Sequence, residues 1–192
     1  MFDLTGKVIV ITGALGLLGK QHVDAVAQYG ATPVILDLNQ KDCEEYAQKI
    51  TKQYQVPSLG LAVDITLETE VQNARDKILT QFGKIDVLIN NAANNPKVEE
   101  SKGGKNFSRL ENFDIGIWNQ DLAVGLTGSF LCSKYFGFEI SKNSNGGAII
   151  NISSDLGIIA PDQRLYRQEG LPENEQPFKH VTYSVLKSGL IG

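Results

Sequence analysis

The sequence predicts an α/β fold, a doubly wound parallel sheet with helices on both faces, over its 192 residues. Three observations support this class. Apolar runs alternate with amphipathic segments, the order that covers both faces of a parallel sheet with helices. The first run, 7–12, is almost entirely apolar, as in a strand that is buried on both faces. It leads directly into a glycine-rich turn and a helix, so the chain opens with a strand–turn–helix unit.

The remaining elements follow from the same periodicities. In the third helix, Val71, Ala74 and Ile78 share one face, and Gly83 follows its end. Two polar segments, 94–109 and 161–180, interrupt the alternation and are predicted to be loops at the carboxyl ends of strands, where open α/β sheets bind ligands. The predicted strands lie near 7–12, 32–36, 58–63, 85–90 and 147–152, and the predicted helices near 16–29, 41–55, 67–82, 113–142 and 181–192.

Length and composition limit the possible functions. The chain fits a single domain, 1–192, with a sizeable core. A net charge of −4 without a basic stripe argues against a nucleic-acid partner. We find neither an apolar run of about 18 residues nor a charged leader with a cleavage site, so no membrane partner is expected. Cys43 and Cys132 show no metal-ligand spacing, and Cys43 shares a helical stripe with Ile50, which predicts a buried thiol. A reduced, cytoplasmic location is expected.

The glycine-rich turn after the first strand is a candidate phosphate site. Gly13, Gly16 and Gly19 let the backbone approach a pyrophosphate. Leu17 and Leu18 begin the next helix, whose N-terminus offers free N–H groups and a partial positive charge. Strand, glycine turn and helix together predict a Rossmann-type dinucleotide site. A structural turn without a ligand is the alternative.

Asp37 at the end of the second strand is the candidate ribose contact. An acidic residue about 20 positions beyond the glycines holds the ribose 2′-hydroxyl in dinucleotide-binding folds. A carboxylate repels a 2′-phosphate, and the next basic residue is Lys41. The sequence therefore favours NAD over NADP as the cofactor. In the alternative interpretation, Asp37 only starts a turn with Asn39.

Tyr183 and Lys187 are the candidate catalytic pair. Side chains four positions apart are neighbours on a helix, and an adjacent ammonium stabilises an ionised phenol. Such a tyrosine can exchange a proton near neutral pH. The Y-x-x-x-K spacing is common by chance, but here it follows a dinucleotide motif earlier in the same chain.

Four motifs in order make the chain resemble the short-chain dehydrogenase/reductase family over essentially its whole length. They are Thr12-Gly13-x-x-Gly16-x-x-Gly19, Asn90-Asn91-Ala92, Asn151-Ile152-Ser153-Ser154 and Tyr183-x-x-x-Lys187. The resemblance implies a Rossmann-type, NAD(P)-binding domain and nicotinamide-dependent hydride transfer at a carbinol or carbonyl carbon of a small-molecule substrate. It also implies a homodimer or homotetramer, since members pair the long helix that begins near Trp118.

The resemblance assigns roles by position. Tyr183 is similar to the general acid/base of the family, and Lys187 to the residue that holds the nicotinamide ribose, so both are also expected to contact the cofactor. Ser154, with Ser153 as the second candidate, matches the serine that binds the reacting oxygen. The remaining assignments concern the cofactor: Asp64 and Ile65 match the adenine contacts, and Asn90 and Ala92 match the residues that line the cofactor.

Several departures from the family pattern affect the finer prediction. Gly125 stands where the family has the asparagine of its proton relay, and Ser154 and Tyr183 are 29 positions apart instead of roughly a dozen. The intervening 160–166 resembles short-chain dehydrogenases of bacterial surface-sugar and flagellin-glycan synthesis. There, Arg164 and Arg167 either bind a substrate phosphate or carboxylate or are simply solvated.

The end of the chain also differs from the family pattern. Family members continue beyond the Tyr–Lys helix through a strand, a helix and a final strand, whereas this sequence stops at Gly192. We therefore expect the C-terminal part to be missing and the fifth strand to have an open edge.

Three functions remain open at this point. The first is an NAD-dependent short-chain dehydrogenase for an alcohol or carbonyl compound, with sugars and nucleotide-sugars among the candidate substrates. The second is a sugar-nucleotide epimerase or dehydratase that retains NAD, because the G-x-x-G-x-x-G spacing is typical of that branch. The third is a nucleotide-binding regulator whose catalysis has lapsed.

Overall fold

The structure is a computed structural model of the chain and describes residues 2–94, 101–102 and 105–191. The single domain expected over 1–192 divides into two compact units. One comprises Met1–Ala92 with Thr127–Asn151, and the other comprises Ala93–Leu126 with Ile152–Gly192. Across the described residues, no helix has the length and apolar character that a membrane span needs.

The elements match the predicted order closely. Each strand boundary lies within two residues of its prediction, and so do the boundaries of the first three helices. The strands are β1 (Val8–Thr12), β2 (Thr32–Asp37), β3 (Leu59–Ala62), β4 (Val87–Asn90) and β5 (Ala148–Asn151), and the helices are α1 (Leu17–Gln28), α2 (Gln40–Tyr54), α3 (Glu68–Phe82), α4 (Ile115–Leu122), α5 (Ser129–Ser141) and α6 (Val181–Gly189).

The first unit contains a five-stranded parallel sheet in the order β3-β2-β1-β4-β5. Buried β-branched residues such as Val10 and Ile11 fill β1, as both faces of the sheet are covered. The chain runs outwards from β1 through β2 and β3, then returns to place β4 on the other side of β1. This reversal creates a topological switch point at the carboxyl ends of β1 and β4, the position where open α/β sheets bind ligands.

Helices cover both faces of this sheet, as predicted. On one side, α1 and α2 contact each other and the strands β1, β2 and β3. On the other, α3 packs against α5, which lies on β4 and β5. Cys43 of α2 is fully buried, and burial is the main reason that its pKa rises to about 11. The prediction of a buried thiol at Cys43 is confirmed.

Strand β5 forms one edge of the sheet, and all four of its residues are exposed. Ile149 and Ile150 are 43% and 45% exposed, values unusual for aliphatic residues of a parallel strand. No strand among the described residues pairs with its outer edge. The open edge agrees with the expectation for the fifth strand, whereas the missing C-terminal part stays a prediction.

The helix predicted over 113–142 is wrong as a single element. Helix α4 ends at Leu122, a π-helical segment follows at Ala123–Gly128, and only then does α5 begin. A Cβ atom on Gly125 would lie 2.9 Å from Leu186 Cδ2, so the missing side chain permits the close approach of α6. Widened turns of this kind are frequent at functional sites.

The second unit contains α4, α6 and a connection of short turns. A two-stranded pairing joins Ser101–Lys102 to Lys105–Asn106, within a predicted loop, 94–109, that lies partly outside the described residues. The predicted loop 161–180 contains two 3-10 turns, Gln163–Tyr166 and Glu173–Glu175.

One buried side chain, Gln176, organises the 161–180 loop. Its amide accepts a hydrogen bond from the Gln168 N–H at 2.8 Å and donates to the carbonyl oxygens of Gln168 and Leu171 at 3.0 and 2.7 Å. These bonds satisfy backbone groups that lie outside any helix or strand. The segment is therefore a folded insert and not an unstructured connection.

Candidate active site

The glycine-rich turn of the first unit is shaped so that side chains could not fit at two of its positions. Gly13 has φ +60°, and a Cβ atom on it would lie 2.8 Å from Ala92 Cα. On Gly19 a Cβ would lie 2.2 Å from the Gly13 carbonyl oxygen. The turn therefore requires glycine at both positions, as a backbone that folds closely around a phosphate group does.

The carboxyl end of β4 holds this turn in place. The Thr12 hydroxyl accepts hydrogen bonds from the N–H groups of Asn91 and Ala92, each at 3.1 Å. The Asn91 amide donates to the carbonyl oxygens of Thr12 and Gly13, each at 3.0 Å. Asn91, which sequence reasoning did not single out for a role, is thus the main side chain bracing the turn at the switch point.

Asp37 supports the same turn from the end of β2. Its carboxylate accepts hydrogen bonds from the Leu15 N–H and from the Leu38 N–H, both at 2.9 Å. One carboxylate oxygen is therefore directed at the glycine turn. A ribose that follows a phosphate on this turn would meet a negative charge.

The N-terminus of α1 offers unpaired donors for an anion. Gly16 is the N-cap in an extended conformation, and no side chain among the described residues caps the helix. Leu17 is 87% exposed and Leu18 is also exposed, so the first turn is open to solvent. Free N–H groups and the helix dipole together attract negative charge. These residues fit the pyrophosphate of a dinucleotide.

The predicted adenine contacts lie after β3. Asp64 Oδ1 accepts hydrogen bonds from the Thr66 N–H at 2.9 Å and from the Thr66 hydroxyl at 2.6 Å, while Ile65 is buried. Asp64 and Leu38 also line a groove of about 370 Å³ beside β3 and α3. The groove continues past Glu70 and Asn73 to Lys77.

Asn90 is buried at the end of β4 and hydrogen-bonded to neighbouring elements of the first unit. The side chain is 1% exposed, and its amide donates to Asn151 Oδ1 at 2.9 Å and to the Ser133 hydroxyl at 3.1 Å. It therefore ties β4 to β5 and α5. The side-chain oxygen of Asn90, Oδ1, has no hydrogen-bond partner among the described residues. Ala92, in contrast, contacts the glycine turn directly.

In the second unit, Tyr183 and Lys187 lie on successive turns of α6. The Lys187 ammonium is 5.8 Å from the centre of the Tyr183 ring and donates to the Ile152 carbonyl oxygen at 2.5 Å. Lys187 is only 6% exposed, and burial lowers its pKa. The geometry expected for the Y-x-x-x-K pair is therefore present, with the ammonium held by Ile152 of the 151–154 motif.

The two candidate serines differ in their surroundings. Ser153 donates its hydroxyl to the Lys187 carbonyl oxygen at 2.6 Å, so it ties the motif to α6. Ser154 donates to the carboxylate of its neighbour Asp155 at 2.8 Å and accepts from the Leu156 N–H at 3.3 Å. Rotating the Ser154 hydroxyl breaks one exposed hydrogen bond, a cost of about 1 kcal/mol. Ser154 is therefore freer to turn towards a ligand.

Asp121 is a buried acid that sequence reasoning missed. It is 3% exposed, and the Thr182 hydroxyl donates to its carboxylate at 2.5 Å. This bond joins α4 to α6 immediately before Tyr183. An acidic residue on the helix predicted over 113–142 was the signal available in the sequence.

Lys179, four positions before Tyr183, was also missed. Its ammonium lies 4.0 Å from the centre of the Tyr183 ring. Its spacing before the tyrosine mirrors that of Lys187 after it, and this symmetry is visible in the sequence.

The two arginines of the insert are engaged within it. Arg164 forms a bidentate pair with Asp162, and Arg167 pairs with both oxygens of Glu173. Both pairs are exposed, so each has a small stabilising effect. A role for these arginines in binding a substrate anion would require breaking a local ion pair first.

Comparisons with known proteins agree with the motifs. A sequence profile described as short chain dehydrogenase matches residues 7–166. D-threitol dehydrogenase from Mycolicibacterium smegmatis is 30% identical over 191 residues, and NAD-dependent glycerol dehydrogenase from Listeria innocua is 28% identical over 190 residues. A crystal structure of NAD+-bound xylitol dehydrogenase has a similar fold, with a TM-score of 0.80 at 24% identity.

These matches cover nearly all of this chain but only part of each relative. They take in 100% of the chain for the threitol enzyme, and 99% for both the glycerol enzyme and the xylitol dehydrogenase structure. In each case they span 63% of the relative's own length.

Proposed function

The chain belongs to the short chain dehydrogenase family, and we propose that it transfers hydride between a nicotinamide dinucleotide and the alcohol or carbonyl carbon of a small molecule. The observation that carries the proposal is the placement of Tyr183 and Lys187 on one face of α6, with the ammonium 5.8 Å from the ring centre. A bound nicotinamide ring would supply the hydride acceptor or donor.

The first unit supplies the groups that suit a dinucleotide. Gly13 and Gly19 let the turn pack tightly against Ala92 and against its own backbone, and the open N-terminus of α1 offers N–H donors to a pyrophosphate. In the role the family suggests, Asp64 would bind the adenine.

NAD is the proposed cofactor because of Asp37. Its carboxylate is bonded to the glycine turn through Leu15 N–H, where it can accept a hydrogen bond from a ribose 2′-hydroxyl. A 2′-phosphate at the same place would meet like charge. The adjoining residues Leu38 and Asn39 offer no cation to offset that repulsion.

In the proposed chemistry, the second unit moves the proton. Tyr183 takes the proton of the substrate hydroxyl at its Oη during oxidation and returns it during reduction. Ser154 binds the same substrate oxygen after its hydroxyl turns from Asp155. Lys187 places a positive charge 5.8 Å from the centre of the tyrosine ring. In the family role, Lys187 also holds the nicotinamide ribose.

A polyhydroxylated substrate is the class that the relatives favour. The proteins named above act on threitol, glycerol or xylitol according to their names. The resemblance of 160–166 to surface-sugar and flagellin-glycan enzymes points to the same broad chemistry. We therefore propose a sugar or sugar alcohol as the substrate, with a small polyol as the simplest test compound.

The proposal is tested by combining binding with turnover. Calorimetry with NAD and NADP measures cofactor binding, and absorbance follows NADH formation from a panel of tetritols, pentitols, aldoses and nucleotide-sugars. We expect tighter binding of NAD than of NADP and net NADH formation with at least one polyol. Failure of the purified protein to bind either cofactor would refute the proposal.

A second candidate is an epimerase or dehydratase that regenerates its NAD in each cycle. The observation that favours it is the glycine spacing Gly13, Gly16 and Gly19, together with the long interval from Ser154 to Tyr183. Protein that carries NAD through purification, and that converts a nucleotide-sugar without net NADH formation, would identify this activity. Net NADH formation from a polyol would exclude it as the main activity.

We also propose that the protein is a homo-oligomer. Phe130 and Phe138 project from α5 of the first unit and are 63% and 59% exposed. Exposed aromatic residues two turns apart form an apolar stripe that a partner subunit would cover. Light scattering should give a mass that is a multiple of the chain mass, and Phe130→Glu should reduce it.

A further inference from the structure

The outer edge of β3 is covered by side chains of neighbouring helices. β3 is the last strand on its side of the sheet, and no described strand pairs with its outer edge. The Val63 N–H points inwards and donates to the Asp37 carbonyl oxygen at 2.8 Å. The N–H groups of Ala62 and Asp64, one position to either side, therefore point outwards, where an open edge leaves backbone groups without a strand partner.

Two side chains from the starts of α2 and α3 bind these outward groups. Gln40 Oε1 accepts the Ala62 N–H at 2.7 Å, and Gln40 Nε2 lies 3.4 Å from the Gly60 carbonyl oxygen. The Glu70 carboxylate accepts the Asp64 N–H at 2.6 Å. The amide of Gln40 and the carboxylate of Glu70 thus take the positions that a further strand would occupy.

Glu70 reaches further along the chain than a glutamate at the start of a helix usually does. In this position a glutamate commonly accepts the N–H of the N-cap residue. The N-cap of α3 is Leu67, but its N–H donates to the Asp64 carbonyl oxygen at 3.0 Å. Glu70 instead binds the Asp64 N–H. Both polar backbone groups of Asp64 are therefore held by the start of α3.

The Asp64 side chain is left with one carboxylate oxygen for a ligand. Its Oδ1 accepts from the Thr66 N–H and hydroxyl, whereas its Oδ2 forms no hydrogen bond within the part of the chain that the structure describes. Asp64 and Glu70 both line the groove of about 370 Å³ beside β3. Because an ionised carboxylate only accepts hydrogen bonds, Oδ2 suits a donor such as the amino group of an adenine.

We propose that Glu70 is a positioning residue, which directs the Asp64 carboxylate at the adenine amino group by holding the Asp64 N–H. The inference rests on the proposed function, because it requires a dinucleotide that binds with its adenine beside Asp64. Glu70 acts through the backbone of Asp64 and touches no reacting atom.

The first measurement observes the contact in the protein without a cofactor. NMR follows the hydrogen exchange of the Asp64 N–H in the wild type and in Glu70→Ala. This amide should exchange about 10- to 100-fold faster in the variant, because it loses a hydrogen bond to a charged acceptor. Glu70→Gln keeps a side-chain oxygen at the same distance along the chain and should restore most of the protection.

The second measurement tests whether the contact orients Asp64 towards the base. Calorimetry compares NAD with nicotinamide hypoxanthine dinucleotide, in which a carbonyl oxygen replaces the amino group. The wild type should bind NAD more tightly, because two acceptors cannot share a hydrogen bond. Glu70→Ala should reduce this preference by about three- to tenfold, and Glu70→Gln should retain it. A merely structural role would weaken the binding of both dinucleotides alike and leave their ratio unchanged.

Two controls separate positioning from loss of charge and from opening of the edge. Glu68→Ala removes the other acidic residue in the first turn of α3, whose carboxylate pairs with Lys134 at 2.8 Å, and it should change neither the exchange nor the ratio. Gln40→Ala opens the same edge at Ala62 and should alter the ratio less than Glu70→Ala does. Glu70→Met, of similar length, replaces the alanine variant if that variant does not fold.

The outcomes distinguish this inference from the proposed function. Unchanged exchange of the Asp64 N–H in Glu70→Ala, or an unchanged ratio in a protein that still forms NADH, would overturn this inference alone. A wild type that binds both dinucleotides equally would overturn it too, because Asp64 would then not recognise the amino group. A reduced ratio in a protein that binds NAD but forms no NADH would support the inference and refute the proposed oxidation. Binding of neither dinucleotide would overturn both.

Discussion

Single residues determine the conformation of the glycine turn and the groups that it offers to a cofactor. Gly13 and Gly19 cannot carry a side chain in this backbone, and Asn91 and Asp37 fix the turn from β4 and β2. None of these contacts depends on the substrate. The cofactor preference can therefore be tested one side chain at a time.

Replacing Asp37 should alter the discrimination between NAD and NADP. Asp37→Asn removes the charge while keeping an oxygen that can accept from the Leu15 N–H, so it isolates the electrostatic repulsion. We expect the ratio of the two dissociation constants to shift towards NADP by about tenfold, equivalent to about 1.4 kcal/mol. Calorimetry with both cofactors measures the ratio.

A matched variant controls for net charge. Asp42→Asn removes a carboxylate from the first turn of α2, near Asp37 in sequence but outside the glycine turn. It should leave the ratio unchanged. Equal ratios in wild type and Asp37→Asn would show that this carboxylate does not select the cofactor.

At the scale of elements, the insert and the π-helical segment are the two parts that the sequence predicted incompletely. The sequence over 113–142 was predicted as one helix, and its π-helical interruption includes Gly125, where Leu186 approaches closely. Residues 161–180 contain prolines and glycines, which predict a loop. Their order depends on Gln176, whose three partners are backbone groups that no sequence pattern identifies.

Gln176 should control the local stability of the insert. Gln176→Ala removes three hydrogen bonds from a buried amide, at a cost of about 2–4 kcal/mol. Native-state hydrogen exchange should show loss of protection at the Gln168 N–H and faster exchange across 161–180. Gln168→Ala is the matched control, because within the described part of the chain Gln168 forms hydrogen bonds only through its backbone. Unchanged exchange in Gln176→Ala would contradict this role.

At the scale of the whole molecule, long-range periodicity was sufficient to predict the sheet. Nearly apolar runs such as 7–12 are typical of parallel strands with both faces covered, and α3 carries a clear apolar stripe. The glycine turn, Asp37 and the Tyr183–Lys187 pair were predicted from position and spacing, and the other candidate site residues came from the family resemblance. Asp121 and Lys179 could not be ranked from sequence, because their importance depends on contacts with Thr182 and Tyr183.

The stability of the first unit should depend on the ionisation of Asp86. Burial opposes ionisation, but hydrogen bonds from the Val8 N–H and the ammonium groups of Lys84 and Lys7 outweigh it and lower the pKa of Asp86. A lowered native pKa stabilises the fold above the unfolded value of about 3.9. This contribution is lost as the pH falls through the native pKa.

Asp86→Asn should therefore destabilise the protein in a pH-dependent manner. We expect a loss of about 3 kcal/mol at pH 7, and the difference from wild type should shrink at pH values below about 4. Urea unfolding followed by circular dichroism measures both. Asp76→Asn, at an exposed ion pair with Arg75, should cost less than about 1 kcal/mol. A pH-independent penalty for Asp86→Asn would refute the ionic explanation.

The central claim is that Tyr183 transfers the proton in a nicotinamide-dependent oxidation. The most direct measurement compares NADH formation from a polyol by wild type, Tyr183→Phe and the control Tyr29→Phe, whose side chain is exposed on the first unit. We predict that Tyr183→Phe lowers kcat/KM by about 10²- to 10⁴-fold while the protein still binds NAD, and that Tyr29→Phe behaves as wild type. Undiminished turnover in Tyr183→Phe would contradict the claim.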